Sequence, residues 1–545
     1  MAKIGIDFGT TNTIISYYTD SGPIGFHYPG MSSSIYIPSV VCLTPRGEWL
    51  VGNEAMSEAG YPNNTFYRAM KMFLPLDDAE REENNWPIRD EGEQYTPDDI
   101  IKIFFTKVLK DGEKDSFETA KEPIEEIVLC VPHVWNRELT HNGREKLKKI
   151  LEDLDLKLAR IVSEPIAAAA YFLFLYNAKF HNDFVGNLMV CDFGGGTFDA
   201  TLCKVHTSGK VEELLNDGNG LSSLGLGRAG VFFDDGLIKK TYHREYQCEI
   251  EEGGSEYHRW YKGLQEKKYA SSHRINSSLR LTHKDNPADR NRFPIFSAID
   301  GVGFYYDDIM ESFEPVQNGM LEVLKRLDAK IKEKNLEIDA LFLTGGFNQF
   351  LPCKQTISDF FAKYNPTTVI DATADSNIAG LSISYGACMI ANRIVTIDEK
   401  FPHSLGFIAY GREDDVRLEP QKIHVPLIKG GRYLDEYSEV TFSEDQFLIS
   451  LDGNGRLNFE FFIDWFGDEA DRRELVFSQI ELPGSTRMDS RWQIGMRIDL
   501  SQIVYVIFLS TNGQRHELQL LDIVERFGQG RVYIDESESA TRGSR

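Results

Sequence analysis

The sequence is poor in the features that mark secreted, membrane-spanning or nucleic-acid-binding chains. Its seven cysteines (Cys42, Cys130, Cys191, Cys203, Cys248, Cys353 and Cys388) are scattered, mostly inside apolar strands, and no C-x-x-C pair occurs. A disulfide framework and a zinc site are therefore not expected, and the thiols read as reduced core residues of a cytoplasmic protein. The longest apolar run, Pro165 to Tyr176, is far short of the roughly 20 residues that cross a bilayer. Asp7 interrupts the first apolar run, so no signal peptide is expected. Positive charge is scarce. Against 84 Asp and Glu stand 59 Lys and Arg, a formal net charge of −25, which argues against nucleic acid or an anionic membrane as the main partner. Neither a G-x-x-x-x-G-K-[ST] loop nor a dinucleotide fingerprint ahead of a helix is present.

What is there is an ordinary globular composition, 41% hydrophobic and 26% charged over 545 residues, enough for three or four folding units. The most informative stretch is Leu188 to Thr201, LMVCDFGGGTFDAT. An apolar strand ends at Asp192, and Gly194, Gly195 and Gly196 then allow a sharp turn whose N–H groups can approach an anion. Aspartates beside such a turn repel a bare phosphate, and a hydrated magnesium ion between them resolves the conflict. A glycine-rich β-turn with a capping aspartate would explain this stretch taken alone. A second copy changes the balance: Lys3 to Ser16 reads KIGIDFGTTNTIIS, again a strand, then Asp7, Phe8, Gly9, Thr10, Thr11 and Asn12. One supersecondary unit is repeated, and the pair reads as two lobes gripping one polyphosphate.

Around these bends, residues 1 to about 190 alternate strands and helices, the pattern of an α/β domain. Ser163-Glu164-Pro165 followed by four alanines is a helix start, where Glu164 suits the N-terminal dipole. Tyr242 to Leu279 reads as one charged helix, and the chain beyond Val416 as all β, with Tyr437–Phe442 and Gln446–Leu451 among its strands.

The paired bends resemble those of the actin, sugar-kinase and heat-shock ATPase superfamily, and the detail resembles the seventy-kilodalton heat-shock chaperones of the DnaK type. GIDFGTTN and VCDFGGGTFDATL are similar to that family's two phosphate turns, and IVLCVPHVWN (Ile127 to Asn136) to its connecting strand. RIVSEPIAAAAYF (Arg160 to Phe172) resembles its central helix entry, and LFLTGGFNQFLP (Leu341 to Pro352) its adenosine turn, all in the same order. The resemblance implies an α/β actin-like ATPase fold, two lobes of duplicated RNase H-like units, followed by an all-β sandwich. It divides the chain into an ATPase domain (1–392), a linker (393–402), a sandwich (403–528) and a disordered tail (529–545). A helical lid like the family's is not expected after the sandwich.

The resemblance also implies roles. ATP or ADP with Mg2+ would sit on Gly9, Thr10, Thr11, Asn12, Gly194, Gly195, Gly196, Gly230, Gly345 and Gly346. Lys267, Lys268 and Ser271 of KKYASS would lie on base and ribose, although the two lysines equally fit a solvated helix face. Asp7, Asp192 and Asp199 would hold the metal through water. Lys71, Glu164, Asp192 and Thr197 would carry the chemistry. In NTFYRAMKMFLP (Asn64 to Pro75) direct alignment puts Met70 at the family's lysine position, and a one-residue slip puts Lys71 there; we expect Lys71, because a thioether cannot stabilise the transferring charge. The departures fall on the adenosine side: Phe347 replaces a serine, Gln349 an adenine-stacking arginine, Val231-Phe232 an acidic pair, and Gly380 to Ile383 a family motif.

Unfolded or client polypeptide is the implied partner, together with a nucleotide-exchange factor and a J-domain co-chaperone acting at Arg160 and Asp398. Those two residues fit equally an exposed arginine and a linker acid. Phe407, Tyr410, Phe447 and Ile449 are either sandwich core or the lining of a peptide groove. The leading expectation is a chaperone-like ATPase with a lidless peptide-binding β-domain. A nucleotide-gated adaptor with one dedicated folded partner and slow turnover is the second. A small-molecule kinase is the third.

Overall fold

The computed structural model describes residues 2–28, 34–76, 78–83, 86–87, 95–111, 124–132, 142–219, 229–282, 290–374, 380–401, 403–411, 421–449, 456–464, 469–481, 491–511 and 513–519. The loop 220–228 and the expected tail 529–545 lie outside these residues. The chain forms two compact units, Met1–Ile397 and Asp398–Arg545.

The first unit is built on two sheets of the same design. Strands β1 (Ala2–Phe8), β2 (Asn12–Thr19), β3 (Gly22–Gly25), β4 (Ile124–Val131) and β5 (Leu158–Ser163) run in the order β3-β2-β1-β4-β5. β1 pairs antiparallel with β2 and parallel with β4. After helix α1 (Glu164–Phe180), β6 (Gly186–Phe193), β7 (Phe198–Val205), β8 (Val211–Asn219), β9 (Ala340–Thr344) and β10 (Thr368–Asp371) repeat this as β8-β7-β6-β9-β10. Between β8 and β9 lie helices α2 (Gly230–Tyr246), α3 (Ser255–Leu281) and α4 (Tyr306–Glu333). The single expected helix over Tyr242–Leu279 is thus two. Gln247 at φ +56 and the Gly253–Gly254 pair break it.

Three apolar layers enclose the two sheets. Between them lie α1 and helix α5 (Ser382–Ala391). The run Ala167–Ala170, fully buried, lets the helices meet at backbone distance: a β-carbon on Gly386 would stand 1.7 Å from the Ala167 carbonyl oxygen. α5 also rests on β1 through Ser384, whose hydroxyl donates to Gly5 O at 3.2 Å and lies 2.8 Å from Ser16 Oγ. Val395 and Ile397, expected in a linker, are buried in this same layer, and the Val211 N–H donates to Thr396 O at 3.0 Å.

The second unit is a sandwich. Strands β11 (Ser404–Gly411), β12 (Gln421–Ile428), β13 (Arg456–Asp464) and β14 (Arg472–Glu481) form one sheet, in the order β12-β11-β13-β14. β15 (Arg491–Ile498), β16 (Val504–Ser510) and β17 (Arg515–Gln519) form the other, with short edge strands at Thr441–Phe442 and Phe447–Leu448. Both sheets contribute to one core: Phe407, Phe459 and Phe461 from the first meet Trp492, Met496, Val506 and Phe508 from the second. Phe407 (1% exposed) is therefore core, and Phe447 and Ile449 pack against it; only Tyr410 of the four expected groove residues stands exposed. The expected strand Tyr437–Phe442 shrinks to its last two residues. Leu434–Tyr437 instead makes a single 3-10 turn, tied by the Tyr433 N–H donating to Glu436 Oε1 at 3.2 Å.

Candidate functional site

The central strands of both sheets end at one cleft of about 570 Å3, the position that the carboxyl ends of strands favour in open α/β folds. Each β1–β2 type hairpin turns there through four residues. Phe8 pairs with Thr13 across Gly9–Asn12, and Phe193 with Phe198 across Gly194–Thr197. The two bends face each other at very short range. A β-carbon on Gly195 would stand 2.3 Å from Thr11 Oγ1, and one on Gly196 would stand 2.4 Å from Thr10 Oγ1. No side chain fits between them, so backbone N–H groups and threonine hydroxyls line the gap.

A third turn closes the cleft floor. Gly345, at φ +88, passes so near the second bend that a β-carbon would meet Asp192 Oδ1 at 2.4 Å. Buried Asn348 fixes this turn by donating its amide to Cys191 O at 3.0 Å and to Thr344 O. The first bend is braced by buried Ser39, whose hydroxyl donates to Gly9 O at 2.7 Å and whose N–H donates to Thr11 O at 2.8 Å. Neither Ser39 nor Asn348 belongs to a pattern that sequence alone could single out; each acts through a contact distant along the chain.

Asp7 and Asp192 occupy equivalent places at the ends of β1 and β6, and Glu164 starts α1 beside them. All three line the cleft and are almost fully buried. Asp199, opposite Asp192 in the hairpin, is buried behind it and does not line the cleft. Lys71 enters from the turn Met70–Phe73, and its ammonium pairs with Glu164 Oε1. Met70 is fully buried in the apolar layer outside the first sheet, so the residue in the cleft is Lys71.

The electrostatics of this cluster are unbalanced. Burial and the charge of Glu164 push Asp7 up to about 7, with Lys71 acting the other way. Burial, then Glu164, Asp199 and Asp7, push Asp192 well above the ordinary carboxylate range, again against Lys71. Asp192 Oδ1 is buried with no hydrogen-bond partner. This excess of buried negative charge fits a divalent cation. Among the described residues no group of three or more His, Cys, Asp or Glu side chains could hold a metal ion directly.

The far end of the cleft is mostly apolar. Phe347, Phe233 and Phe350 pack with ring centroids 5.3–5.6 Å apart, beside Leu237, Leu264 and Ile275. Its polar groups gather around buried Asp234, which accepts from Lys268 Nζ at 2.7 and 2.8 Å and from Gln265 Nε2 at 2.7 Å. Helix α3 presents Gln265, Lys268, Ser272, Ile275 and Asn276 to the cleft, a helical stripe. Lys267 and Ser271 fall off that stripe, and Ser271 marks a kink with φ −137 and ψ 15. Asn276, also unforeseen, fixes the third turn by donating to Gln349 O at 2.7 Å and accepting from the Leu351 N–H at 2.9 Å. Gly230, Gly345, Gly346 and Gln349 also line the cleft, Gly230 against the second bend, where a β-carbon would stand 3.1 Å from Gly194 O. Arg160 is half-buried on β5 of the first unit, and Asp398 opens the second.

A duplicated α/β unit whose two bends meet over buried carboxylates is the arrangement of the actin-like ATPase class. Within it, residues 3–392 match the family described as Hsp70 protein, and the chain belongs to that family. Over 421 residues it is 25% identical to the chaperone protein DnaK of Thermotoga neapolitana. It is 24% identical to that of Thermotoga petrophila. Each alignment covers 75% of this chain and 64% of the relative's length. No helix among the described residues is long and apolar enough to cross a membrane.

Proposed function

We propose that the chain is a chaperone-type ATPase, hydrolysing ATP in this cleft and passing the nucleotide state to the sandwich, which holds apolar segments of client polypeptides. The observation that carries the reading is Lys71 paired with Glu164 in the cleft where the two glycine-threonine bends face each other. In phosphoryl transfer, positioning and charge stabilisation do nearly all the work. Backbone N–H groups of Gly9–Thr11 and Gly194–Thr197 bind the β- and γ-phosphates, with the Thr11 and Thr197 hydroxyls on the γ-phosphate. Asp7 and Asp192, backed by Asp199, hold Mg2+ through its waters. Bound magnesium supplies charge neutralisation at the phosphate oxygens.

Glu164 orients water against the γ-phosphorus and receives its proton as the bond to the β–γ bridging oxygen breaks. Lys71 stabilises the charge spread over the transferring group. Lys268, on Asp234, and the Gly345–Gly346 turn hold the adenosine. Arg160 and Asp398 are the proposed contacts for a J-domain, and an exchange factor completes the cycle in the cytoplasm. Tyr410, Ile423 and Leu448, exposed on the sandwich, support a role in apolar contact.

The test is Mg-ATP turnover by the wild type beside Lys71→Ala and Asp192→Ala. We expect each substitution to lower turnover by on the order of 100-fold, and an unfolded apolar peptide and a J-domain to stimulate the wild type. Absence of magnesium-dependent adenine-nucleotide binding would overturn the reading.

A further inference from the structure

The loop that delivers Lys71 is fastened to the opposite wall of the cleft. Strand Thr65–Tyr67 is followed by Arg68 and then Ala69, a non-glycine residue in the left-handed region at φ +53. After that reversal the helical turn Met70–Phe73 begins. Three consecutive functions diverge from this point: Met70 enters the apolar core, Lys71 enters the cleft, and Arg68 reaches toward helices α2 and α3.

Arg68 is held there from several sides. Its Nη2 donates to Asp235 Oδ2 at 3.1 Å and to Tyr257 Oη at 2.9 Å. Its guanidinium lies 5.1 Å from the ring centroid of Tyr257 and 4.9 Å from that of Tyr261, a cation–π contact on two rings. Tyr257 Oη in turn donates to Asp235 Oδ1. Asp235 directly follows Asp234, the carboxylate that fixes Lys268 and Gln265 in the cleft wall. The same seam is reinforced where Phe66 meets His258, ring centroids 4.9 Å apart, and where Lys262 Nζ donates to Ser57 O at 3.0 Å.

We propose that Arg68 is a positioning residue that makes the placement of Lys71 on Glu164 depend on closure of the cleft, and that its clasp on Asp235, Tyr257 and Tyr261 slows escape of the nucleoside diphosphate product. When α2 and α3 stand close, Arg68 is anchored, and the left-handed turn at Ala69 holds Lys71 against Glu164. When they part, the anchor is lost and the lysine is released with it. Chemistry is thereby restricted to the closed cleft. The inference rests on the reading of the cleft as a site of ATP hydrolysis.

The experiment compares wild type, Arg68→Met, Arg68→Lys, Asp235→Asn and Arg68→Met/Asp235→Asn. It reads kcat and KM for Mg-ATP and the release rate of a fluorescent ADP analogue. A misplaced reacting group costs on the order of 10- to 100-fold in rate. We expect Arg68→Met to lose that much in kcat, to change KM by less, and to release ADP faster. Arg68→Lys should recover only part of kcat, because an ammonium keeps the charge but not the planar stack. The double variant should be no worse than the worse single one, since both cut the same link. A folded Arg68→Met with wild-type kcat and wild-type ADP release overturns the proposal. If Arg68→Met fails to fold, Asp235→Asn, which removes one charge and little volume, carries the same two outcomes. A wild type that binds no Mg-ATP overturns the hydrolase reading and this inference together. A wild type that turns over beside equally active variants overturns this inference alone.

Discussion

His258 is 7% exposed, faces Phe66, and sits near the Arg68 guanidinium. Burial first, and the positive charge of Arg68 second, lower its pKa from 6.5 to about 4. The folded state therefore resists a proton that the unfolded chain accepts. Above pH 6.5 both states are neutral and His258 contributes nothing to pH dependence; as pH falls from 6.5 toward 4 the unfolded state gains the proton first and stability is lost. A shift of this size corresponds to about 3 kcal/mol. His258→Phe should flatten the stability profile between pH 6.5 and 4, as measured by urea unfolding at a series of pH values. An unchanged slope would place the histidine in solvent. At this scale the sequence was legible where chemistry demanded one residue type: the two aspartates at the strand ends, the bend glycines, and a lysine rather than a methionine in the cleft. It was illegible where geometry decided. The helical turn that follows left-handed Ala69 sends Met70 into the core and Lys71 into the cleft, and helical spacing from Gln265 and Lys268 puts Ser272 rather than Ser271 there. Ser39, Asn276 and Asn348 carry no signal, because an isolated polar residue is read as core brace only once its distant partner is known.

Elements are legible when their period matches their burial, and two glycines show what remains hidden. Gly236 lies in α2 with only ordinary contact to Ser312 at 3.8 Å, whereas a β-carbon on Gly386 of α5 would stand 1.7 Å from a backbone oxygen of α1. Both are merely glycines in helices to a reader of the sequence. Gly236→Ala should raise stability by about 0.5–1 kcal/mol, the ordinary gain in a helix interior. Gly386→Ala should lower it by about 3 kcal/mol or more, because no side chain can move aside and the two helices must separate. Paired thermal melts test this; equal effects would mean that α1 and α5 do not pack at backbone distance. The repeated hairpins were readable because each joins an apolar strand to an obligatory glycine turn. The break between α2 and α3 was masked by continuous charge on both sides, although Gly253 and Gly254 mark it. Tyr437–Phe442 looked like a strand, but Tyr437 closes a 3-10 turn and is buried as a plug of the sandwich core, so only Thr441–Phe442 extends.

At the scale of the whole molecule, each compact unit owns its core. The apolar layers around the two α/β sheets draw on residues up to Ile397, and the sandwich core begins at Phe401. Burial of Val395 and Ile397 sets the boundary later than residue 392, where the match to the family model stops. Cores that share no residues unfold as separate cooperative transitions, and a ligand stabilises only the transition whose native state binds it. Calorimetry of the full chain should therefore resolve two transitions. Mg-ATP at a hundredfold excess over its dissociation constant should stabilise one of them by about 2.7 kcal/mol and leave the other in place. The shifted transition should also appear in residues 1–397 prepared alone, and chelation of the magnesium should abolish the shift, since the buried carboxylates of Asp7 and Asp192 then face the phosphates uncompensated. A nucleotide-induced shift of the sandwich transition as well would mean that the two units unfold as one, and coupling between nucleotide and client would then run through shared stability rather than through a change of state at the cleft.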